Sequence, residues 1–210
     1  MAGDHVSRFF TDIQSALSKL IVVSRMEARL IDLVCGLDVS YKGEEGVAAA
    51  VLWSLKSGSM VDISLYRGSV FFPYVPGLLY LREAPLMLAA LRGLTASPEL
   101  LLVDGHGLAH PRRAGLASIV GLLSDKPSIG IAKSLLHGQI LSDEGSSYIV
   151  VGGERVGLVY RPRAGRRIYL SVGHRTDLEL LKTLLGMFGD ELLGPLARAH
   201  KESKRAASAN

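Results

Sequence analysis

Two aspartates end apolar segments of the sequence at positions where they could hold a cation. Asp38 closes the run IDLVCGLDVS, and Asp104 closes LLLVD before a Gly-His-Gly turn. Ligands of open α/β sheets bind at strand ends and in the loops that follow, and a carboxylate buried alone is costly. Carboxylate oxygens suit Mg²⁺ or Mn²⁺. Each aspartate alone could equally cap a turn, but the pair predicts a divalent-metal site.

Two further charged residues are candidates for the same chemistry. Glu83 lies in a mostly apolar helical segment, where it is either a third acidic ligand or an exposed carboxylate paired with Arg82 or Arg92. Its spacing alone favours the exposed pair. Lys133 directly follows the apolar run SIGIA, where a cation could neutralise charge on a phosphate. The alternative is an ordinary surface lysine.

Hydrophobic periodicity predicts the elements that must position these residues. The predicted helices are about 5–25, Leu78–Leu94, Arg113–Ser124 and Thr176–Phe188. The predicted strands are Ile31–Ser40, Val47–Leu55, Met60–Tyr66, Leu100–Asp104, Ser128–Ala132, Tyr148–Gly152, Arg155–Tyr160 and Ile168–Val172. Residues Arg67–Gly77 hold two prolines and predict a loop. Three strands in meander order, then alternating helices and strands, predict a single α/β domain with a mixed β-sheet flanked by helices.

Composition narrows the class of protein. The 210 residues are 48% hydrophobic, which is typical of a folded chain and not of a disordered one. No apolar run is long enough to span a bilayer, and the N-terminal segment lacks the features of a signal peptide. We therefore expect a cytoplasmic protein that does not bind membranes. The single cysteine, Cys35, excludes an intrachain disulfide and is expected to be a small buried strand residue.

Basic residues form two groups. The formal net charge of +4 permits a polyanionic partner without requiring one. Four arginines between two predicted strands either face solvent or contact phosphates: Arg161, Arg163, Arg166 and Arg167. The C-terminal group is Arg198, Lys201, Lys204 and Arg205. Because the chain ends in SKRAASAN, we expect residues 200–210 to be a flexible tail.

Several ordered blocks of the sequence resemble the endonuclease V family. They are GLDVSY (36–41), PYVPGLLYLRE (73–83), LLVDGHGLAHPRRAGLASIVG (101–121), IGIAKSLLHG (129–138) and SVGHRTDLE (171–179). The blocks extend over most of the chain, and the second and third are far more specific than a short pattern. Chance agreement of all five in this order is remote.

The resemblance implies a ribonuclease H-like fold and a phosphodiesterase. It implies that Asp38, Glu83 and Asp104 bind Mg²⁺, for which Mn²⁺ can substitute, and that His174 completes the catalytic group; the motif match also favours Lys133 as the group that neutralises charge on the phosphate. Such enzymes hydrolyse the second phosphodiester bond 3′ to deoxyinosine in DNA, leaving a 3′-hydroxyl and a 5′-phosphate. For His174 the alternative is a capping or core histidine.

The resemblance also assigns residues to substrate binding. A modified base must leave the stack before its edge can be read. Tyr74, Val75 and Pro76 match an apolar wedge that fills the gap at the lesion, unless the turn instead packs Tyr74 onto the core. The residues that match the base pocket are Gly77, Leu79, Gly105 and Leu116, although both leucines could be core residues. His110 is expected near the site, against phosphate or behind the metal.

Three functions remain open at this point. The first is cleavage of deoxyinosine-containing DNA in repair, and the second is the same reaction on inosine-containing RNA. The third is a lesion-binding module without catalysis, against which the complete set of acidic residues argues. A different ribonuclease H-like nuclease is set aside by the two most specific blocks. We expect a monomer.

Overall fold

The apolar pattern of the chain produces nine strands and five α-helices in a computed structural model, which describes residues 3–143, 145–163 and 165–209. The strands are β1 (Leu33–Lys42), β2 (Glu45–Ser54), β3 (Ser59–Ser69), β4 (Leu100–Asp104), β5 (Ser128–Ala132), β6 (Gln139–Asp143), β7 (Ser146–Val151), β8 (Glu154–Tyr160) and β9 (Ile168–Val172). The helices are α1 (Gly3–Ser18), α2 (Tyr80–Arg92), α3 (Leu116–Ser124), α4 (Leu178–Phe188) and α5 (Gly194–Ser208).

All nine strands belong to one sheet, in the order β3-β2-β1-β4-β5-β9-β8-β7-β6. The central strands β1, β4 and β5 are parallel, and the other pairs are antiparallel. Residues 100–103 of β4 and all of β5 are buried, as expected for parallel strands that helices cover on both faces. The predicted α/β fold, a mixed sheet flanked by helices in one domain, is confirmed.

Alternation along β1 directs its residues to two different helix layers. The odd-numbered Cys35, Leu37 and Val39 pack with α2 and α3, whereas Val34 belongs to the core on the α4–α5 side. Cys35 is fully buried, as predicted. Because side chains of a strand alternate between faces, Asp38 and Ser40 point toward α5.

A close contact at Gly36 fixes α5 against this face of β1. A Cβ atom at Gly36 would lie 2.3 Å from the backbone oxygen of Pro195. Only glycine lets the helix approach the strand this closely. The following turns of α5 then run along β1 and bring His200 and Ser203 to Asp38.

The predicted flexible tail is wrong for the described residues. Residues 194–208 form α5, and Ala199, Glu202, Ser203 and Ala207 are buried; Asn210 lies outside the described residues. The buried stripe consists of small and polar side chains instead of large apolar ones, so hydrophobic periodicity does not reveal it. Glu202 binds Arg198 and Arg205 at 2.9 and 2.8 Å, which accounts for part of the basic group.

Other boundaries differ from the prediction for local reasons. Strand β6 was not predicted because it lies at the sheet edge and residues 139–142 are exposed. Strand β3 extends to Ser69, into the predicted loop, and α1 ends at Ser18. Among the residues that the structure describes, no helix combines the length and the apolar character needed to cross a membrane.

Candidate functional site

Asp38 and Asp104 lie side by side on neighbouring parallel strands. Leu37 pairs with Val103, so the next residue of each strand is an aspartate on the α5 face. Strand β1 does not end at Asp38, as the sequence suggested, but continues to Lys42. Asp38, Asp104 and His200 each offer one ligand atom, and these three atoms lie within 4.8 Å of one another. The predicted pairing of the two aspartates is therefore present in the structure.

The Asp38 carboxylate is held by two side chains of α5. The hydroxyl of Ser203 donates to Asp38 Oδ2 at 2.5 Å, and His200 Nδ1 lies 3.3 Å from the same oxygen. Burial, together with the neighbouring charge of Asp104, raises the pKa of Asp38 to about 6, against the lowering effect of the Ser203 hydrogen bond. Asp38 thus has hydrogen bonds but lacks a full countercharge.

Glu83 is buried in the first turn of α2 and lines the same cavity as the aspartates. It is not the exposed, arginine-paired carboxylate that its spacing favoured. The hydroxyl of Tyr41 donates to Glu83 Oε1 at 2.7 Å. Burial raises the pKa of Glu83 to about 8, with a further contribution from the charges of Asp38 and Asp104.

This donor set fits a divalent cation. Carboxylates that are buried near one another ionise reluctantly, and a cation among them would reverse that preference. Two aspartate oxygens and an imidazole nitrogen, with Glu83 on the wall, are oxygen-rich ligands of the kind Mg²⁺ and Mn²⁺ accept. The site therefore has both the ligands and the electrostatic demand for such an ion.

Lys133 follows β5 at the same edge of the sheet. Its Nζ lies 3.5 Å from Asp104 Oδ2, and 72% of its side chain is exposed. An exposed ion pair of this length contributes little to stability. The ammonium group is therefore available to an anion that approaches the two aspartates.

His200 is the member of this group that the sequence analysis left unassigned. It stands in the basic C-terminal segment that was expected to be flexible, and no motif surrounds it. The spacing of Ala199, Ser203 and Ala207 was the available signal, because residues four apart lie on one helix face. Recognising that stripe would have placed His200 beside the sheet.

His174, predicted to be catalytic, lies at the opposite end of the strands. Its carbonyl accepts from the Ser128 amide at 2.9 Å, so it lies beside the first residue of β5, whereas Lys133 follows the last. Five strand residues at about 3.3 Å each separate the two ends by roughly 15 Å. The Val22 amide donates to His174 Nδ1 at 3.3 Å, and burial lowers the pKa of the ring. His174 is a buried core histidine that the structure does not bring to the acidic group, and its catalytic assignment is wrong.

A cavity of about 520 Å³ extends from the acidic group to the loop before α2. The four predicted pocket residues Gly77, Leu79, Gly105 and Leu116 line it, and so does His110. Gly105 has φ +155°, and a Cβ there would meet Leu116 at 3.2 Å. Its backbone conformation and the contact with Leu116 both favour glycine.

Polar groups behind the cavity fix Gly77. His110 Nε2 lies 3.1 Å from the Gly77 carbonyl, and the Arg112 amide donates to His110 Nδ1. The Arg112 guanidinium donates to the same carbonyl at 2.8 Å and to Gln14 at 2.6 Å. Burial and the nearby Arg112 charge lower the pKa of His110 to about 4. His110 is thus a neutral donor that orders the loop.

The predicted wedge projects from this ordered loop. Tyr74 is 67% exposed and lines the cavity, and Pro76 is also exposed. Val75 instead packs against the core beneath α2. Tyr74 is therefore not packed onto the core, and the loop presents an aromatic tip anchored by Val75. His106, left unassigned, also lines the cavity and lies 2.9 Å from the Ser134 carbonyl through Nε2.

Two aspartates side by side on neighbouring parallel strands, a nearby lysine and an adjoining cavity form a site suited to phosphodiester hydrolysis. Residues 15–196 match the family model described as Endonuclease V. An Endonuclease V of Saccharolobus islandicus is 40% identical over 179 residues, which are 85% of this chain and 86% of that protein. The chain belongs to the Endonuclease V family, and it is an enzyme of the nuclease class.

Solved structures agree with this assignment. The crystal structure of the Endonuclease V from Streptomyces avermitilis has a TM-score of 0.85 and 32% identity, covering 98% of this chain and 95% of that one. Ciona intestinalis Endonuclease V, in complex with a 24mer DNA containing an inosine followed by a ribo-adenosine, has a TM-score of 0.81 and 24% identity. That match covers 97% of this chain and 98% of the other and supports the fold.

Proposed function

We propose that the protein is a metal-dependent endonuclease that hydrolyses the second phosphodiester bond 3′ to deoxyinosine in DNA. The observation that carries this proposal is the continuity of one cavity. The same cavity is lined by the carboxylates of Asp38, Glu83 and Asp104 and by the predicted pocket residues Gly77 and Leu116. A base held against Gly77 and Leu116 would leave the strand to pass over the carboxylates.

Mg²⁺, or Mn²⁺ in its place, would be held by Asp38 and Asp104, with Glu83 and His200 on either side. Such an ion supplies an activated water and neutralises charge on the phosphate. Ser203 and His200 orient Asp38 for this role. Lys133 is placed to bind a phosphate oxygen as negative charge develops there.

Two groups remain for moving protons and orienting water. Tyr41 occupies Oε1 of Glu83, which leaves Oε2 for the ion or the attacking water. His200 has a side chain that is 49% exposed at the same cavity, and its second ring nitrogen can give a proton to the departing 3′-oxygen. Hydrolysis then leaves a 3′-hydroxyl and a 5′-phosphate.

The part of the cavity at Gly77 supports recognition of a flipped base. Tyr74 and Pro76 would fill the space that the base leaves, at an unstacking cost of about a few kcal/mol. A deaminated base pairs weakly, so its flipping costs less. Backbone groups at Gly77 and Gly105 can approach the base edge without a side chain between them, while His110 keeps the loop in place.

The test uses end-labelled DNA with one deoxyinosine, with Mg²⁺ or with EDTA, beside an Asp38→Ala variant. We expect a single nick at the second phosphodiester 3′ to the lesion, absent with EDTA and in the variant. A metal-dependent nick only in matched inosine RNA would retain the site and change the substrate. Binding of both strands without any cut would leave a lesion-binding module.

A further inference from the structure

A second cavity, of about 290 Å³, lies on the other side of the acidic group. Its walls come from the end of β5, the start of β9, the turn before α5 and the first turn of α5. The apolar residues that form them are Ile131, Ala132, Ile168, Leu193, Leu196 and Ala197. The sequence analysis assigned none of these residues to a site.

Four residues line both cavities: Asp104, Ala132, Lys133 and His200. The three polar ones, Asp104, Lys133 and His200, form a polar ridge, with the proposed base pocket on one side and the apolar cavity on the other. A strand whose phosphate lies on this ridge, and whose lesion base lies in the first cavity, must continue toward the second. The apolar cavity is therefore continuous with the proposed cleavage site.

The chemistry of the apolar cavity restricts what it can hold. Apart from the three ridge residues, its lining within the described chain has no side-chain hydrogen-bond donor or acceptor. A phosphate or the polar edge of a base would lose water there without gaining partners. The C–H face of a 2′-deoxyribose suits such walls, and its phosphate would remain on the ridge beside Lys133.

We infer that this cavity binds the 2′-deoxyribose of the nucleotide immediately 3′ to the cut, the one that leaves with the 5′-phosphate. The inference rests on the proposed function, because that function sets the direction of the strand across the ridge. It adds a subsite that reads the sugar. A 2′-hydroxyl at this nucleotide would be buried without a partner, which disfavours ribose at one position of the strand.

Binding tests the subsite independently of cleavage. Two deoxyinosine strands are compared in EDTA by fluorescence anisotropy: one ends at the nucleotide before the cut, and the other extends two nucleotides beyond it. The wild-type protein is expected to bind the longer strand more tightly. Ala197→Trp, at an exposed position on the cavity wall, is expected to remove that gain. Ser208→Trp, at an exposed position about three turns further along α5, should keep it.

Cleavage supplies the second test, with a single ribonucleotide moved along an otherwise deoxy strand. Ribose immediately 3′ to the cut is expected to slow cleavage by about tenfold or more, and Leu196→Ser should reduce that factor by offering a hydroxyl partner. Equal rates for ribose and deoxyribose there, or an equal binding gain in Ala197→Trp and wild type, would overturn the subsite. Binding and cleavage that ignore inosine would instead overturn the proposed function.

Discussion

The two ends of the parallel strands β4 and β5 both carry buried polar groups, but they satisfy them differently. At the amino end the Ser128 hydroxyl donates to the Ala117 carbonyl and accepts from the His174 amide. The Thr176 hydroxyl donates to the Ser128 carbonyl and accepts from the Gly173 amide. Each of these groups has a partner within the protein, although in the described part of the chain the buried Nε2 of His174 at the same end has none.

At the carboxyl end the polar groups lack sufficient partners. Asp38, Glu83 and Asp104 line one cavity, and Lys133, which pairs with Asp104 at 3.5 Å, is largely exposed. Burial and mutual repulsion raise the pKa values of Asp38 and Glu83. The comparison shows that polar groups satisfied internally stabilise the fold, whereas this cluster destabilises it until a ligand binds.

The largest expected effect comes from removing one charge from the carboxyl end. Glu83→Gln keeps the size of the side chain and an oxygen for Tyr41, but it removes the negative charge that the ion requires. We expect the nicking rate to fall about a hundredfold to a thousandfold, while the metal-free protein melts at a higher temperature at pH 8. Glu179→Gln, at a surface ion pair on α4, should change neither quantity; an unchanged nicking rate in Glu83→Gln would contradict the role.

His200 and His174 lie at opposite ends of the parallel strands, so replacing each by alanine compares the two ends directly. His200→Ala should slow nicking by about tenfold to a hundredfold, as loss of a group that orients a ligand does, with little change in melting temperature. His174→Ala should keep nicking and lower the unfolding free energy by about 1–3 kcal/mol, because it opens a cavity and leaves the Val22 amide unpaired. Loss of nicking in His174→Ala, with nearly normal nicking in His200→Ala, would instead support a catalytic role for His174.

The smallest expected effect is a pH dependence of stability without metal. The pKa values of Asp38 and Glu83 rise from 3.8 to about 6 and from 4.5 to about 8 on folding, so the folded chain binds more protons between these limits. The unfolding free energy should therefore fall as pH rises through this window. Denaturant titrations between pH 5 and about 8.5 should show it, and Mg²⁺ should restore most of the loss at the upper pH. An unfolding free energy that is constant over this pH range and does not respond to Mg²⁺ would contradict the unfavourable burial of these carboxylates.

Much of the carboxyl end was predictable because its residues follow apolar strands. That pattern identified Asp38 and Asp104, and the resemblance of the motifs to a known family supported Glu83 and Lys133. His200 and Ser203 were not, because their helix buries alanine, serine and glutamate, which composition does not distinguish from a solvated tail. His174 was misassigned because a Gly-His-Arg turn shows neither which end of a strand it adjoins nor that its ring is buried.

The contact between Gly36 and Pro195 has a consequence for synthesis. The first strand and the last helix of the chain meet there, and the carboxylate of Asp38 receives its partners from residues 162 and 165 positions later. Such a contact forms late in synthesis, because its two sides lie more than 150 residues apart in the chain. A growing chain on the ribosome, surrounded by RNA, therefore has an Asp38 carboxylate without these partners. His200 and Ser203 reach Asp38 only when α5 has been made and has docked.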